Sequence, residues 1–162
     1  MAVSEDSNII DFGVRAAVER EMRTGRALSE LDGAALKAIF DAAYLDCRID
    51  SDGDCVIHDD MTLIASADPA KDVFKIYGFF PIAGTREQAV EFCNRFNLYL
   101  VVVRAQLRDT PDSDGQWTVI FDYDRLVFED ERIEAKTIVK TVRRFQNIVR
   151  SGISRFDEDK LF

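Results

Sequence analysis

Histidine is nearly missing from this 162-residue chain: His58 is the only one. Any Ser-His-Asp or Cys-His catalytic site would have to use it. Cysteine is sparse, and the three present, Cys47, Cys55 and Cys93, are an odd number. Cys47 and Cys55 lie eight apart with no second pair, so a zinc-site spacing is lacking. No local cationic activator of the kind that holds a reactive thiolate is expected at the thiols. They read as small buried hydrophobes and not as a disulfide frame. Gly13, Gly33, Gly78 and Gly84 are scattered, and none sits in a Walker or dinucleotide pattern. No run approaches the roughly 20 apolar residues of a membrane span. The opening MAVSEDSNIIDFG has early acids and no basic stretch leading into an apolar one, unlike a signal peptide. Positive charge is outnumbered: 21 Lys plus Arg against 30 Asp plus Glu give a formal net charge of −9. Such an acidic surface repels phosphate backbones, so nucleic acid is not expected as a general partner, while a local basic patch stays open. There is no internal repeat or low-complexity block. A cytoplasmic location is expected, with no cofactor, no metal and no membrane partner.

What is present is material for one core. Hydrophobic residues make up 47% of the chain, which fits a single domain over 1–162. In NIIDFGVRAAVEREMR (8–23), Ile10, Val14, Ala17, Val18 and Met22 recur at helical spacing, predicting an amphipathic helix closed by a left-handed Gly25. A second helix is predicted at 31–43, capped by Asp32, with Leu36, Ile39 and Phe40 facing inward. Strands follow at 47–50, 55–58, 61–67 and 73–80, the last stopped by Pro81, as an antiparallel meander. Thr85 to Gln88 fits a capping box ahead of the stripe Ala89, Phe92, Cys93 and Phe96. Alternation predicts strands at 101–108 and 116–124, joined by a loop rich in turn formers. A basic amphipathic helix spans 133–151, with Ala135, Ile138, Val139, Val142, Phe145 and Val149 inward and Lys136, Lys140, Arg143, Arg144 and Arg150 outward. The acidic run 129–134 lies near its positive end. The tail 152–162 is expected to fray or dock weakly. The order α-α-β-β-β-β-α-β-β-α implies an α+β fold, an antiparallel sheet of about five to six strands with helices mainly on one face.

The stretch DSDGDC (50–55) looks at first like a calcium loop. An EF-hand needs Asp at position 1, glycine at 6 and Glu at 12. Starting at Asp50 puts Cys55 at position 6 and Met61 at 12; starting at Arg48 puts a cation at position 1. A three-residue hairpin loop, Ser51-Asp52-Gly53, fits better, with Gly53 at positive φ. That register sets Ile49 opposite Cys55 and Cys47 opposite Ile57, so all four are expected in the core, and Asp50 and Asp54 flank the loop on the solvent side.

The order of these elements resembles the YbjN family of bacterial proteins over about residues 28–150. The resemblance rests on RIDSDGDCVI, FKIYGFFPI, EQAVEFCNRFN, VVVRAQL, WTVIFDYDRLV and IVKTVRRFQNIV in that order. The family resembles type III secretion chaperones in fold and is labelled a sensory transduction regulator. The resemblance implies a fold and a binding or regulatory role, with no catalytic residues to carry over. The helix at 8–23 lies outside the shared pattern.

Three surfaces attract functional readings. Asp122 and Asp124 share a strand face, with Asp114 nearby, and paired carboxylates can do acid–base or metal work; solvated strand faces carry such pairs routinely. The basic face of the last helix can meet phosphates or an acidic partner, or simply be solvated and compensated by the chain's own acids. Strand 73–80 is apolar on both faces, and Lys75 turns the face of Val73, Tyr77 and Phe79 away from the helices. With Val102 and Ile120 these residues predict an uncovered apolar sheet face, the mark of an interface, unless the N-terminal helix or the tail covers it. The leading expectation is a non-enzymatic protein-binding or regulatory protein, dimeric, that holds its partner or itself through the sheet face or a strand edge. A secretion-type chaperone is the alternative within that class. An enzyme or small-ligand binder using Asp122, Asp124 and His58 is the alternative outside it.

Overall fold

The computed structural model describes residues 15–20 and 22–162. A short helical segment, α1, covers 15–20 and 22–23. The expected stretch 8–14 of that helix lies outside the described residues. Gly25 does not cap it in a left-handed conformation. Instead Gly25–Arg26 is extended as β1 and pairs antiparallel with β8, Ile133–Glu134. Arg132 fastens this pair, its guanidinium donating to the Gly25 carbonyl and to Glu30, each at 3.2 Å.

The main body is a six-stranded sheet. Its strands are β2 (Asp46–Ile49), β3 (Cys55–His58), β4 (Thr62–Asp68), β5 (Val73–Pro81), β6 (Arg104–Leu107) and β7 (Thr118–Leu126). They lie in the order β2-β3-β4-β5-β7-β6, every neighbour antiparallel. The helices α2 (Gly33–Ala42), α3 (Arg86–Tyr99) and α4 (Ala135–Phe156) bury their apolar stripes on one sheet face. From them come Leu36, Ile39 and Phe40, then Phe92 and Phe96, then Val142, Phe145 and Val149. The sheet answers with alternate residues, Phe74 and Ile76 on β5 and Val119 and Phe121 on β7, all buried. Phe121 is the hub, with ring centroids of Phe80, Phe92 and Phe96 at 5.1, 6.1 and 5.0 Å. The α3 and α4 helices come close at Gly152, where a Cβ would stand 2.1 Å from the Phe96 ring.

Local signals fixed most element starts. Asp32 accepts the Ala35 amide at the head of α2. Thr85 and Gln88 exchange their two bonds at the head of α3, which satisfies amides that a helix start leaves open. The hairpin takes the three-residue loop: Ile49 faces Cys55, Cys47 faces Ile57, and Gly53 has φ 88°.

Several expectations are corrected. Ile49 is not in the core; it is 44% exposed at the rim of the edge strand, because the sheet ends there and only the first turn of α2 lies alongside. The strand expected at 101–108 begins at Arg104, because the chain bends at 101–103 while crossing from α3 to the sheet. Val101 is consequently exposed. The β5 strand does stop at Pro81 as expected, but Pro81 is itself the last residue of the strand, paired with Thr118. The last helix runs on to Phe156. Beyond it the tail turns back instead of fraying: Leu161 is buried, its carbonyl accepts the Ala83 amide at 2.9 Å, and its own amide donates to Asp157 at 2.8 Å. Phe162 places its ring 5.0 Å from that of Phe92.

Candidate binding face of the sheet

A strand alternates its side chains, so whatever opposes the helix-covered face is decided residue by residue. On β5 the outward residues are Val73, Lys75, Tyr77 and Phe79. Their β7 partners are Leu126, Asp124, Asp122 and Ile120, and β6 adds Arg104 opposite Asp122 and Gln106 opposite Ile120. On β4, Ser66 lies beside Lys75 and Ile64 beside Tyr77. No helix among the described residues covers this surface, and it forms a groove of about 610 Å³.

Of the five residues predicted for the apolar face, three meet. Tyr77, Phe79 and Ile120 line the groove, with Phe79 50% exposed and its ring edge-on to Tyr77 at 5.7 Å. Val73 shares the face at the far end of β5, opposite exposed Leu126. Val102 does not belong. It precedes β6 at the bend and lies with Tyr123, Phe145 and Ile148 beside α4. Extending the alternation of a strand past its true start put it on the wrong side.

The face is more polar than the apolar pattern implied. Asp54 from the hairpin, with Asp68, Asp122 and Asp124, supplies four carboxylates against the two cations Lys75 and Arg104. Arg104 bridges Asp122 and Asp124, the latter at 2.9 Å. Asp122 is only 8% exposed. Its Oδ2 takes the Arg104 guanidinium, while its buried Oδ1 has no hydrogen-bond partner among the described residues. Burial raises its pKa above the ordinary carboxylate value, and Arg104 pulls against that rise. Tyr77 donates its hydroxyl to Asp54 at 3.2 Å. Burial also raises Asp54, with Tyr77 opposing and Asp50 and Asp52 adding repulsion. The Tyr77 phenol is pushed up to about 12, first by burial and then by Asp54. Asp54 therefore turns into the groove rather than simply flanking the loop. Asp50 spends one carboxylate oxygen on the amides of Asp52 and Asp54, each at 3.0 Å, in the manner of an Asx turn.

The enzyme constellation is not assembled. His58 sits on β3 and shares a 3.5 Å contact with Thr62. Asp122 is on β7, with β4 and β5 between. Three strand spacings of about 4.8 Å put them roughly 14 Å apart before any offset along the strands. Among the described residues no three His, Cys, Asp or Glu side chains converge as metal ligands would. No helix among them is long and apolar enough to cross a membrane. Part of the basic α4 face is compensated internally: Arg150 pairs with Asp60, and Arg143 donates to the Ala43 carbonyl. The described part of α1 lies near α4, with Val18 and Met22 beside Lys136, away from the groove.

The β6 edge is closed by a residue the sequence reading passed over. Asn97, on α3, donates to the Ala105 carbonyl at 2.7 Å and accepts the Ala105 amide at 2.8 Å. Its amide thus imitates the next strand at that position. Asn97, Arg104 and Asp54 carried no signal in sequence because their partners lie eight to 23 residues away.

No protein-family model matches the chain, and no curated protein matches it in sequence. Among solved structures its fold is similar to that of YbjN from E. coli, "a putative transcription regulator", with a TM-score of 0.62 and 11% identity. The likeness covers 79% of this chain and 93% of that one. At that identity it is a likeness of fold: the α+β architecture is shared, and the identity of the function is a separate matter.

Proposed function

We propose that this chain is a non-enzymatic binding or regulatory protein that holds a protein partner on the open face of its sheet. The observation that carries the reading is the groove itself. Tyr77, Phe79 and Ile120 stand on a rigid sheet with no helix over them among the described residues. Aromatic residues in a depression ringed by polar groups are the usual anatomy of a binding hot spot. The YbjN-like fold supports a regulatory or chaperone-like role, as does the separation of His58 from Asp122 and Asp124. The Asn97 clamp favours the face over the β6 edge as the point of attachment. Self-association as a dimer and residence in the cytoplasm belong to the same reading.

The test is cross-linking in the native cell followed by mass spectrometry, with the wild type and Phe79→Asp. Phe79 is half exposed, so the substitution leaves the core untouched. The expected result is a partner captured by the wild type and lost by the variant. That partner, once purified, protects β5 and β7 amides from hydrogen exchange. Capture that survives Phe79→Asp, with protection elsewhere on the chain, would sink the reading.

A further inference from the structure

We infer that the occupant of this groove is a basic segment of a different protein, which seats a lysine or arginine side chain between Asp54 and Asp122 across the ring of Tyr77. The inference rests on the proposed function and adds the chemistry of the partner.

Charge comes first. The groove holds twice as many carboxylates as cations, and Asp50 and Asp52 at the hairpin extend the negative field to its lip, since both act on Asp54 and Tyr77. Complementary potential of this kind selects partners and steers them on encounter. An acidic ligand would face that field and is disfavoured.

The second observation is Asp122. A buried carboxylate oxygen without a donor is costly, because it has left water and gained nothing in return. Arg104 satisfies only the other oxygen, and its own side chain is mostly in solvent. Among the described residues none donates to Oδ1, and an ammonium or guanidinium entering the groove would meet the Asp122 carboxylate that lines it. Tyr77 lies directly opposite Asp122 in the β5–β7 register and reaches Asp54 with its hydroxyl. Its ring therefore lies between the two carboxylates and offers a face on which a cation is favoured. Phe79 and Ile120 take the aliphatic stem that both basic side chains carry.

The experiment uses the isotope-labelled full chain titrated with a pentalysine peptide, with pentaglutamate beside it. Three variants accompany the wild type: Asp122→Asn, Asp54→Asn, and Asp109→Asn as an exposed control that removes the same charge outside the groove. Asp54→Asn retains an acceptor for Tyr77, so it reports even if Asp122→Asn melts. Expected are amide shifts confined to β4, β5, β6 and β7, no binding of pentaglutamate, and an affinity loss of roughly tenfold or more in the groove variants. The control should stay near the wild type. Diffuse shifts, with all three variants weakened alike, would mean net charge alone and would overturn the inference. So would a dimer in sedimentation that Asp122→Asn or Lys140→Glu dissociates, since the basic element would then be α4 of a second copy. A partner lost by Phe79→Asp but retained by both groove variants would leave the proposed function standing and remove this inference.

Discussion

Replacing Asn97 with alanine tests how the sheet is kept from growing at its β6 edge. The side chain makes two hydrogen bonds to the Ala105 backbone, at 2.7 and 2.8 Å. A neutral hydrogen bond of this kind contributes about 0.5–1.5 kcal/mol net. Asn97→Ala should therefore cost about 1–3 kcal/mol. At about 2–4 °C per kcal/mol for a domain of this size, the melting temperature falls by roughly 2–12 °C. Circular dichroism reads the melting, and hydrogen exchange reads the cause. The Ala105 amide should exchange much faster in the variant, while amides inside the β5–β7 ladder keep their protection. Asn97→Asp separates the two bonds. It retains an acceptor for the Ala105 amide but sets a carboxylate against the Ala105 carbonyl, so stability falls while that amide stays slow. An Asn97→Ala protein that melts within about 1 °C of the wild type, with Ala105 exchange unchanged, would refute the clamp.

Other consequences can be checked as directly. Leu161→Ala removes a buried side chain from the docked tail and should cost about 2–5 kcal/mol, read by urea denaturation; a change below about 0.5 kcal/mol would mean that the tail is not part of the fold. Burial pushes Cys55 up to about 12 and Cys93 up to about 11, and raises Cys47 as well. A thiol reagent at mildly alkaline pH should label none of the three in the native protein and all three in denaturant; fast native labelling would contradict the burial. Asp54 and Asp122 are both raised above the ordinary carboxylate value of 3.8. As pH falls from neutral toward that value the folded chain takes up protons before the unfolded chain does, so these two groups add stability over that window. Asp54→Asn should flatten the part of the urea stability profile that rises on mild acidification. A profile identical to the wild type would count against the burial of Asp54.

The hairpin shows how much of the fold could be read and where reading stopped. Its loop and register follow from local chemistry, since Gly53 tolerates positive φ and a slip by one residue would flip Cys47 and Ile57 outward. Burial of Ile49 could not be read the same way, because it depends on how far α2 extends over the edge strand. The candidate face divides similarly. Alternation along β5 and β7 placed Tyr77, Phe79 and Ile120 together, whereas Val102 was misplaced because the start of β6 is set by a bend and not by a pattern. The tail carried no periodicity from which the seat of Leu161 could be found.

By itself, then, the sequence determined the kinds and order of the six main strands and of α2, α3 and α4, the caps at Asp32 and Thr85, and the apolar stripes of those helices. These are properties of neighbours within a few residues, where propensity, capping and period decide the outcome. Tertiary structure decided the strand order β2-β3-β4-β5-β7-β6, the closing of one edge by Asn97 and the docking of the tail. It also decided the meeting of Asp54, Tyr77 and Asp122 around one groove. Those depend on contacts between residues far apart in the chain, and no local pattern encodes which distant groups a folded sheet brings side by side.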